Sequence, residues 1–383
     1  MNNDVAVLVG NGLSIAFNPD LNLQTITKNV LRRIEAAEGA EVVLAMQEIA
    51  QRALPNGAKT DEDFEVLVGA FGAESRTLGL LGTLAELTEH DDRDLKKAID
   101  VTAKFAEKVR DTGVSCVLEE ISDKSNALDT ERAESLDNLI KAIVEAFEGK
   151  VVISNLNYDT ILLNALIKSH NSILTDLANG ANWQDICILD SGIKRLFRVP
   201  KLRTSDNFPG DRRIYLIHLH GSISFWLFSD GDEGAYVKLH KEVFKFPNLN
   251  LWEKVRNGEI DGRPVVVLAS RKDKVDHVNR YPFSLAYEVS AQSLQCDKWL
   301  IIGYSFRDDP INNMLRSEFL DRKRENKPRV LVVTYGEELK LRDVEKAFGW
   351  GVEDGSSSEW LTINREGASD MENTEDWVNF VVD

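Results

Sequence analysis

Short apolar runs that stop at polar or glycine residues punctuate the chain, at positions 5–9, 151–154, 214–219, 265–269, 299–302 and 330–334. None alternates strictly between apolar and polar positions. Each therefore predicts a strand covered on both faces, as in a parallel sheet packed between helices. Between the first and second runs the period changes. Ile26, Val30, Leu31 and Ile34 recur at helical spacing and predict an amphipathic helix. Leu95, Ile99, Val101, Phe105 and Val109 form a less regular stripe. Leu136, Leu139, Ile140, Ile143, Val144 and Phe147 form the most regular one, with Gly149 as a stop before the second strand. The pattern predicts an α/β chain with a Rossmann-like parallel sheet, built from residues 1–23 and 149–383 and interrupted by a helical insertion over residues 24–148.

Composition narrows the function classes. A hydrophobic content of 43% over 383 residues supports a sizeable core. The formal net charge of −17 argues against direct nucleic-acid binding, which depends on neutralising phosphates. A small anion held locally by backbone N–H groups remains compatible with it. Cys116, Cys187 and Cys296 are far apart, so neither a zinc knuckle nor a disulfide framework is predicted, and no metal is expected. Without a signal-peptide pattern or an apolar run of transmembrane length, a cytoplasmic protein with no membrane association is expected.

Four predicted strands deliver a polar cluster at their carboxyl ends, the edge where open parallel sheets bind ligands. The clusters are Gly10-Asn11-Gly12-Leu13-Ser14, Asn157-Tyr158-Asp159, His220-Gly221-Ser222 and Gly303-Tyr304-Ser305-Phe306. Each also has a structural interpretation. The first and last suit tight turns, and Asn157 or Asp159 suits the cap of a helix starting near Thr160. A lone histidine after a strand is commonly a hydrogen-bonded structural residue. His218, placed by strand alternation on the same face as His220, competes with it but lacks the following glycine.

Taken in order after the N-terminal GxGxS turn, "NLNYDTILLNAL", "YLIHLHGSISFW" and "CDKWLIIGYSFRDDPINNML" resemble the sirtuin-like NAD-binding family. They are most similar to the bacterial sirtuin-like NAD hydrolases of antiphage defence. The resemblance implies that Gly10, Gly12 and Ser14, with Asn11 in the same turn, meet the pyrophosphate and adjacent ribose. Asn157 would lie beside the nicotinamide ribose and place a water, with Asp159 near the carboxamide. His220 would be the catalytic histidine, and Gly303 and Ser305 would line the adenosine side. Asp308 and Asn312 match the tail of the last motif and are assigned to capping or packing.

Departures from the deacylating sirtuins bear on the reaction. Three scattered cysteines cannot supply a four-cysteine zinc module, and Asn18-Pro19-Asp20-Leu21 lacks the phenylalanine and arginine of the usual segment after the first turn. "DEDFEVLV" at residues 61–68 is similar to a helix start in the defence-type relatives and is given a structural role. The resemblance thus implies a metal-independent NAD hydrolase that releases nicotinamide and ADP-ribose, depleting NAD in abortive infection. A non-catalytic NAD or ADP-ribose sensor is the alternative. The helical insertion is the expected homo-oligomer surface, although its apolar stripes would bury equally well within one protomer. Defence-type relatives of similar length work beside a separate hexameric DNA-translocase ATPase, so the resemblance implies such a partner; the chain has no GxxxxGK[ST] loop of its own.

Overall fold

The computed structural model describes residues 3–53, 81, 93–190, 192–230, 233–244, 250–268 and 271–382. In chain order the strands are β1 (Val5–Val9), β2 (Val151–Asn155), β3 (Leu174–Asp176), β4 (Ala178–Asp190), β5 (Ile193–Leu202) and β6 (Ile214–His218). They continue as β7 (Gly221–Asp230), β8 (Glu233–Lys238), β9 (Gly262–Val266), β10 (Lys298–Ile302), β11 (Arg329–Val333) and β12 (Leu361–Asn364). Seven of them form one sheet in the order β12-β11-β10-β1-β2-β6-β3, with every pairing parallel.

The apolar runs work as the parallel arrangement requires. Val5, Val7 and Val9 join Val151, Ile153, Ile214 and Leu216 in one core, while Ala6, Leu8, Val152, Tyr215, Ile217 and Ile301 join a second core on the opposite face. Both faces are thus buried, and that is why the strands show no polar alternation. The register aligns Val9 with Asn155 and Ile302, and Asn155 with His218. Whatever follows these residues therefore emerges at one edge of the sheet.

Among the described residues, the helices before β2 are α1 (Asn11–Phe17), α2 (Leu23–Glu38), α3 (Ala40–Ala53), α4 (Arg93–Ser125) and α5 (Thr130–Ala146). Ile26, Val30 and Ile34 of α2 and Leu136, Leu139, Ile140, Ile143 and Val144 of α5 are buried, as their spacing predicts. The stripe in α4 is different: Val101 and Phe105 are 60% and 53% exposed. The buried face instead runs from Val109 through Cys116, Val117 and Leu118 to Ile121. Helix α4 has 33 residues and spans about 50 Å, whereas α2, which packs on it, has 16. The shorter helix covers only part of the longer one. The "DEDFEVLV" segment lies outside the described residues.

The other strands form a second, antiparallel sheet in the order β4-β5-β8-β7-β9. This corrects the expectation for residues 265–269. The run is displaced into β9, which pairs antiparallel with β7, and Ala269 lies outside the described residues. A short apolar run signals burial on both faces, but partner and direction are set by the neighbouring strand. The run at 214–219 also ends early, with β6 stopping at His218 and Leu219-His220 forming a turn. Gly221 follows at φ +81°, where an added Cβ would lie 2.1 Å from the Val265 carbonyl oxygen. The two histidines consequently do not continue along one strand.

After β2 come α6 (Ile161–His170), α7 (Lys241–Phe244), α8 (Leu251–Arg256) and α9 (Arg271–Val278). Then come α10 (Phe283–Ser293), α11 (Asp309–Leu320), α12 (Leu341–Phe348) and α13 (Glu375–Val382). Among the described residues, no helix is long and apolar enough to cross a membrane.

Candidate functional site at the carboxyl edge of the sheet

The turns after β1 and β10 interlock through their backbones. Gly10 N–H donates to the Ile302 carbonyl at 2.9 Å, and Gly12 N–H donates to the Gly303 carbonyl at 2.9 Å. A Cβ on Gly10 would come within 2.6 Å of Gly303 O, and one on Gly12 within 2.6 Å of Gly303 Cα. Gly303 itself sits at φ +65°, where a Cβ would meet Leu13 N at 2.4 Å. The close approach that these glycines permit is thus made by the chain's own backbone. Asn11 is half-buried, with its amide 3.4 Å from the Leu21 carbonyl, and Ser305 is exposed.

Beneath this turn lies a buried polar chain. The Asn157 amide donates to the Gly10 carbonyl at 3.0 Å and to Ser14 Oγ at 2.9 Å. The Ser14 hydroxyl in turn donates to Asp159 Oδ2 at 2.6 Å. The other carboxylate oxygen of Asp159 accepts the Ile161 N–H at 3.0 Å, a turn bond from the residue before the N-cap, Thr160, which makes no side-chain capping bond of its own. Burial pushes the Asp159 carboxyl above its ordinary range, against the opposing effect of the Ser14 and Ile161 bonds.

Asn155 and His218 support this segment from β2 and β6. Asn155 Oδ1 accepts the Asn157 N–H at 3.0 Å, and its amide lies 3.4 Å from His218 Nδ1. Burial, and then the Lys238 ammonium, lower the His218 pKa to about 4, with Asp176 opposing. Lys238 and Asp176 form an ion pair beside it. His218 is therefore neutral near pH 7 and structural in character.

This has a pH consequence. The unfolded chain protonates His218 near pH 6.5 and the folded chain only near pH 4. Its contribution is complete above pH 6.5 and is lost as the pH falls towards 4, where the unfolded state binds the extra proton. At about 1.4 kcal/mol per pH unit the loss amounts to about 3 kcal/mol by pH 4. Urea unfolding at pH 7 and pH 4 should show this extra acid sensitivity in the wild type relative to His218→Gln. Equal sensitivity in the two chains would contradict it.

His220 lies in a different setting. Its carbonyl accepts the Val267 N–H at 2.9 Å, and the Tyr158 hydroxyl donates to the Val267 carbonyl at 2.8 Å. The rings of Tyr158 and His220 are 6.4 Å apart, which links the histidine to the Asn157 segment. His220 Nε2 is 3.5 Å from Asp308 Oδ2, and Lys274 Nζ lies 3.0 Å from the same oxygen. Burial alone would raise the Asp308 pKa, but His220 and Lys274 hold it below the ordinary value. Nearby, Phe306 adopts φ +56°, a rare conformation for a bulky residue, and its carbonyl accepts the Asn312 amide at 2.9 Å. The Tyr304 hydroxyl donates to Asn312 Oδ1 at 2.8 Å.

The structure thus packs Gly10, Gly12, Ser14, Asn157, Asp159 and Gly303 together, with His220 joined through Tyr158, while Asn11 and Ser305 lie towards the rim. Asp308 carries the predicted capping contact, but its second contact, to His220, was not anticipated. Lys274 carries no sequence signal at all. A cavity of about 520 Å³ lies alongside, between α4, α6 and the second sheet, and none of the predicted site residues lines it. Its charged groups are engaged within the protein, Glu119 with Arg33 and Arg256 and Lys238 with Asp176.

A SIR2-like domain model matches residues 151–352. The match contains Asn157, Asp159, His220, Gly303 and Ser305 but starts after the Gly10–Ser14 turn, which reaches the others through the parallel register. No curated protein matches the chain.

Proposed function

The chain belongs to the SIR2-like domain family, which uses NAD, and from that premise we propose that it is an NAD hydrolase. One arrangement carries the proposal: Ser14, Asn157, Asp159 and His220 come from three separate strand ends and are all buried at one edge of the parallel sheet. In the proposed reaction, water adds to the anomeric carbon of the nicotinamide ribose as the carbon–nitrogen bond breaks. The bonding pair leaves with nicotinamide, and the products are nicotinamide, ADP-ribose and a proton.

The Asn157 amide N–H groups are spent on Gly10 and Ser14, so its oxygen is the atom suited to orient the water. His220 accepts the water's proton, a task that an imidazole performs near neutral pH. Asp159 takes the carboxamide end and Asn11, Gly12, Gly303 and Ser305 the nucleotide end, as the motif resemblance suggests. The scattered cysteines favour water over an acyl-lysine as the acceptor, because no four-thiolate module can be assembled from them. In the cell this activity would deplete NAD during phage infection, a role supported by the resemblance of the strand-end motifs to defence proteins.

Incubating the purified chain with NAD and separating the products by chromatography tests the proposal. Nicotinamide and ADP-ribose should appear together and in equal amounts over time. NAD that binds and is recovered unchanged would make the chain a sensor instead.

A further inference from the structure

His220 and Asp308 come from opposite sides of the same edge, one from the turn after β6 and the other from the start of α11. The two oxygens of Asp308 do different work. Oδ1 caps α11 by accepting the Ile311 N–H at 3.3 Å, whereas Oδ2 faces Lys274 Nζ at 3.0 Å and His220 Nε2 at 3.5 Å. A helix cap alone needs one oxygen and no particular neighbours. Here the second oxygen sits between two cationic or protonatable groups, with all three side chains at most 10% exposed. We propose that Asp308 is a positioning residue that controls the charge of His220, and that Lys274 limits how much of the Asp308 charge His220 feels.

Electrostatics inside a water-poor site makes this arrangement effective. A carboxylate within about 4–6 Å favours the protonated imidazole, while a cation on the same carboxylate weakens that preference. Among the described residues, Lys274 from α9 and Asp308 from α11 bring charge to this cluster. Tyr158 approaches His220 from the loop after β2. Tyr304 donates its hydroxyl to the Asp308 carbonyl at 3.1 Å, and Tyr287 from α10 lies near enough for Asp308 to disfavour its phenolate. Asp308 and Lys274 thus act on His220 in opposite directions, the carboxylate favouring its protonated form and the ammonium weakening that preference. The catalytic consequence rests on NAD hydrolysis, whereas the pairing does not.

Two substitutions separate charge from fold. Asp308→Asn keeps an oxygen for the Ile311 N–H and so retains the cap, but it removes the negative charge. Lys274→Met removes the cation and leaves the carboxylate to His220 alone. With histidine carbon-13 labels in the full chain, and His220→Gln to assign its signal, each variant is titrated by NMR. The His220 pKa should fall by about one to three pH units in Asp308→Asn and rise in Lys274→Met.

Turnover should move with the charge: kcat of Asp308→Asn drops tenfold or more while KM stays within about twofold. Asp308→Glu should recover part of the loss. An unchanged His220 titration in the two variants overturns the proposal. If Asp308→Asn fails to fold, the titration of Lys274→Met decides alone, and no rise there overturns it equally. If the titrations shift as expected but none of these chains releases nicotinamide, the pairing stands and the hydrolase reading falls.

Discussion

Replacing His220 with alanine is expected to slow NAD cleavage by about 10²–10⁴-fold, the usual contribution of a positioned base. The fold should survive, because the contact that ties this turn to β9 is made by the backbone: the His220 carbonyl accepts the Val267 N–H. Alanine preserves that bond and leaves Gly221 at its positive φ. His220→Ala is therefore a cleaner probe than Asn157→Ala. The latter removes the bonds to the buried Gly10 carbonyl and Ser14 Oγ, at a net cost of about 0.5–1.5 kcal/mol each, because the Gly10 carbonyl still accepts the Leu13 N–H and the Ser14 hydroxyl still donates to Asp159. Chromatographic rates should be measured alongside a urea midpoint for each chain. Wild-type turnover in a folded His220→Ala chain would remove the histidine from the mechanism.

The second large effect is structural. Gly303→Ala should destabilise the chain by about 2–5 kcal/mol. About 1–2 kcal/mol comes from placing a side chain at φ +65°, and about 1–3 kcal/mol from overpacking against a neighbour that cannot yield. That neighbour is the backbone nitrogen of Leu13, 2.4 Å from the new carbon. Relief requires separating the turns after β1 and β10, which would also break the bond from Gly12 N–H to the Gly303 carbonyl. A fall in the urea midpoint at constant slope is the expected signature. NAD affinity should fall with it, since the same turn carries Ser14 to Asn157. An unaltered midpoint would mean that the turns are far more compliant than their packing indicates.

How much of this site was visible in the linear chain depends on the range of the interaction. Strand-end clusters are local features: an apolar run followed by Asn157-Tyr158-Asp159 or by His220-Gly221 announces itself within a few residues. Their convergence is also implicit, because parallel strands buried on both faces align their carboxyl ends. The second sheet is less legible. In β5 the residues are mostly exposed or half-buried, so no apolar signature separates this strand from a loop before β4 pairs with it. The 265–269 run was visible as buried, but its antiparallel partner β7 was not.

The two histidines mark the boundary most clearly. Alternation along a strand places His218 and His220 on one face, and only the stop of β6 and the turn at Gly221 separate them. One then meets Asn155, Lys238 and Asp176, and the other Asp308 and Lys274. By itself, the order of apolar runs and the residues that end them determined an α/β core whose polar clusters share one carboxyl edge. The tertiary structure alone decided which charges surround each side chain at that edge. Charge interactions depend on spatial distance and burial, and the groups that supply them here are brought together from segments far apart in the chain.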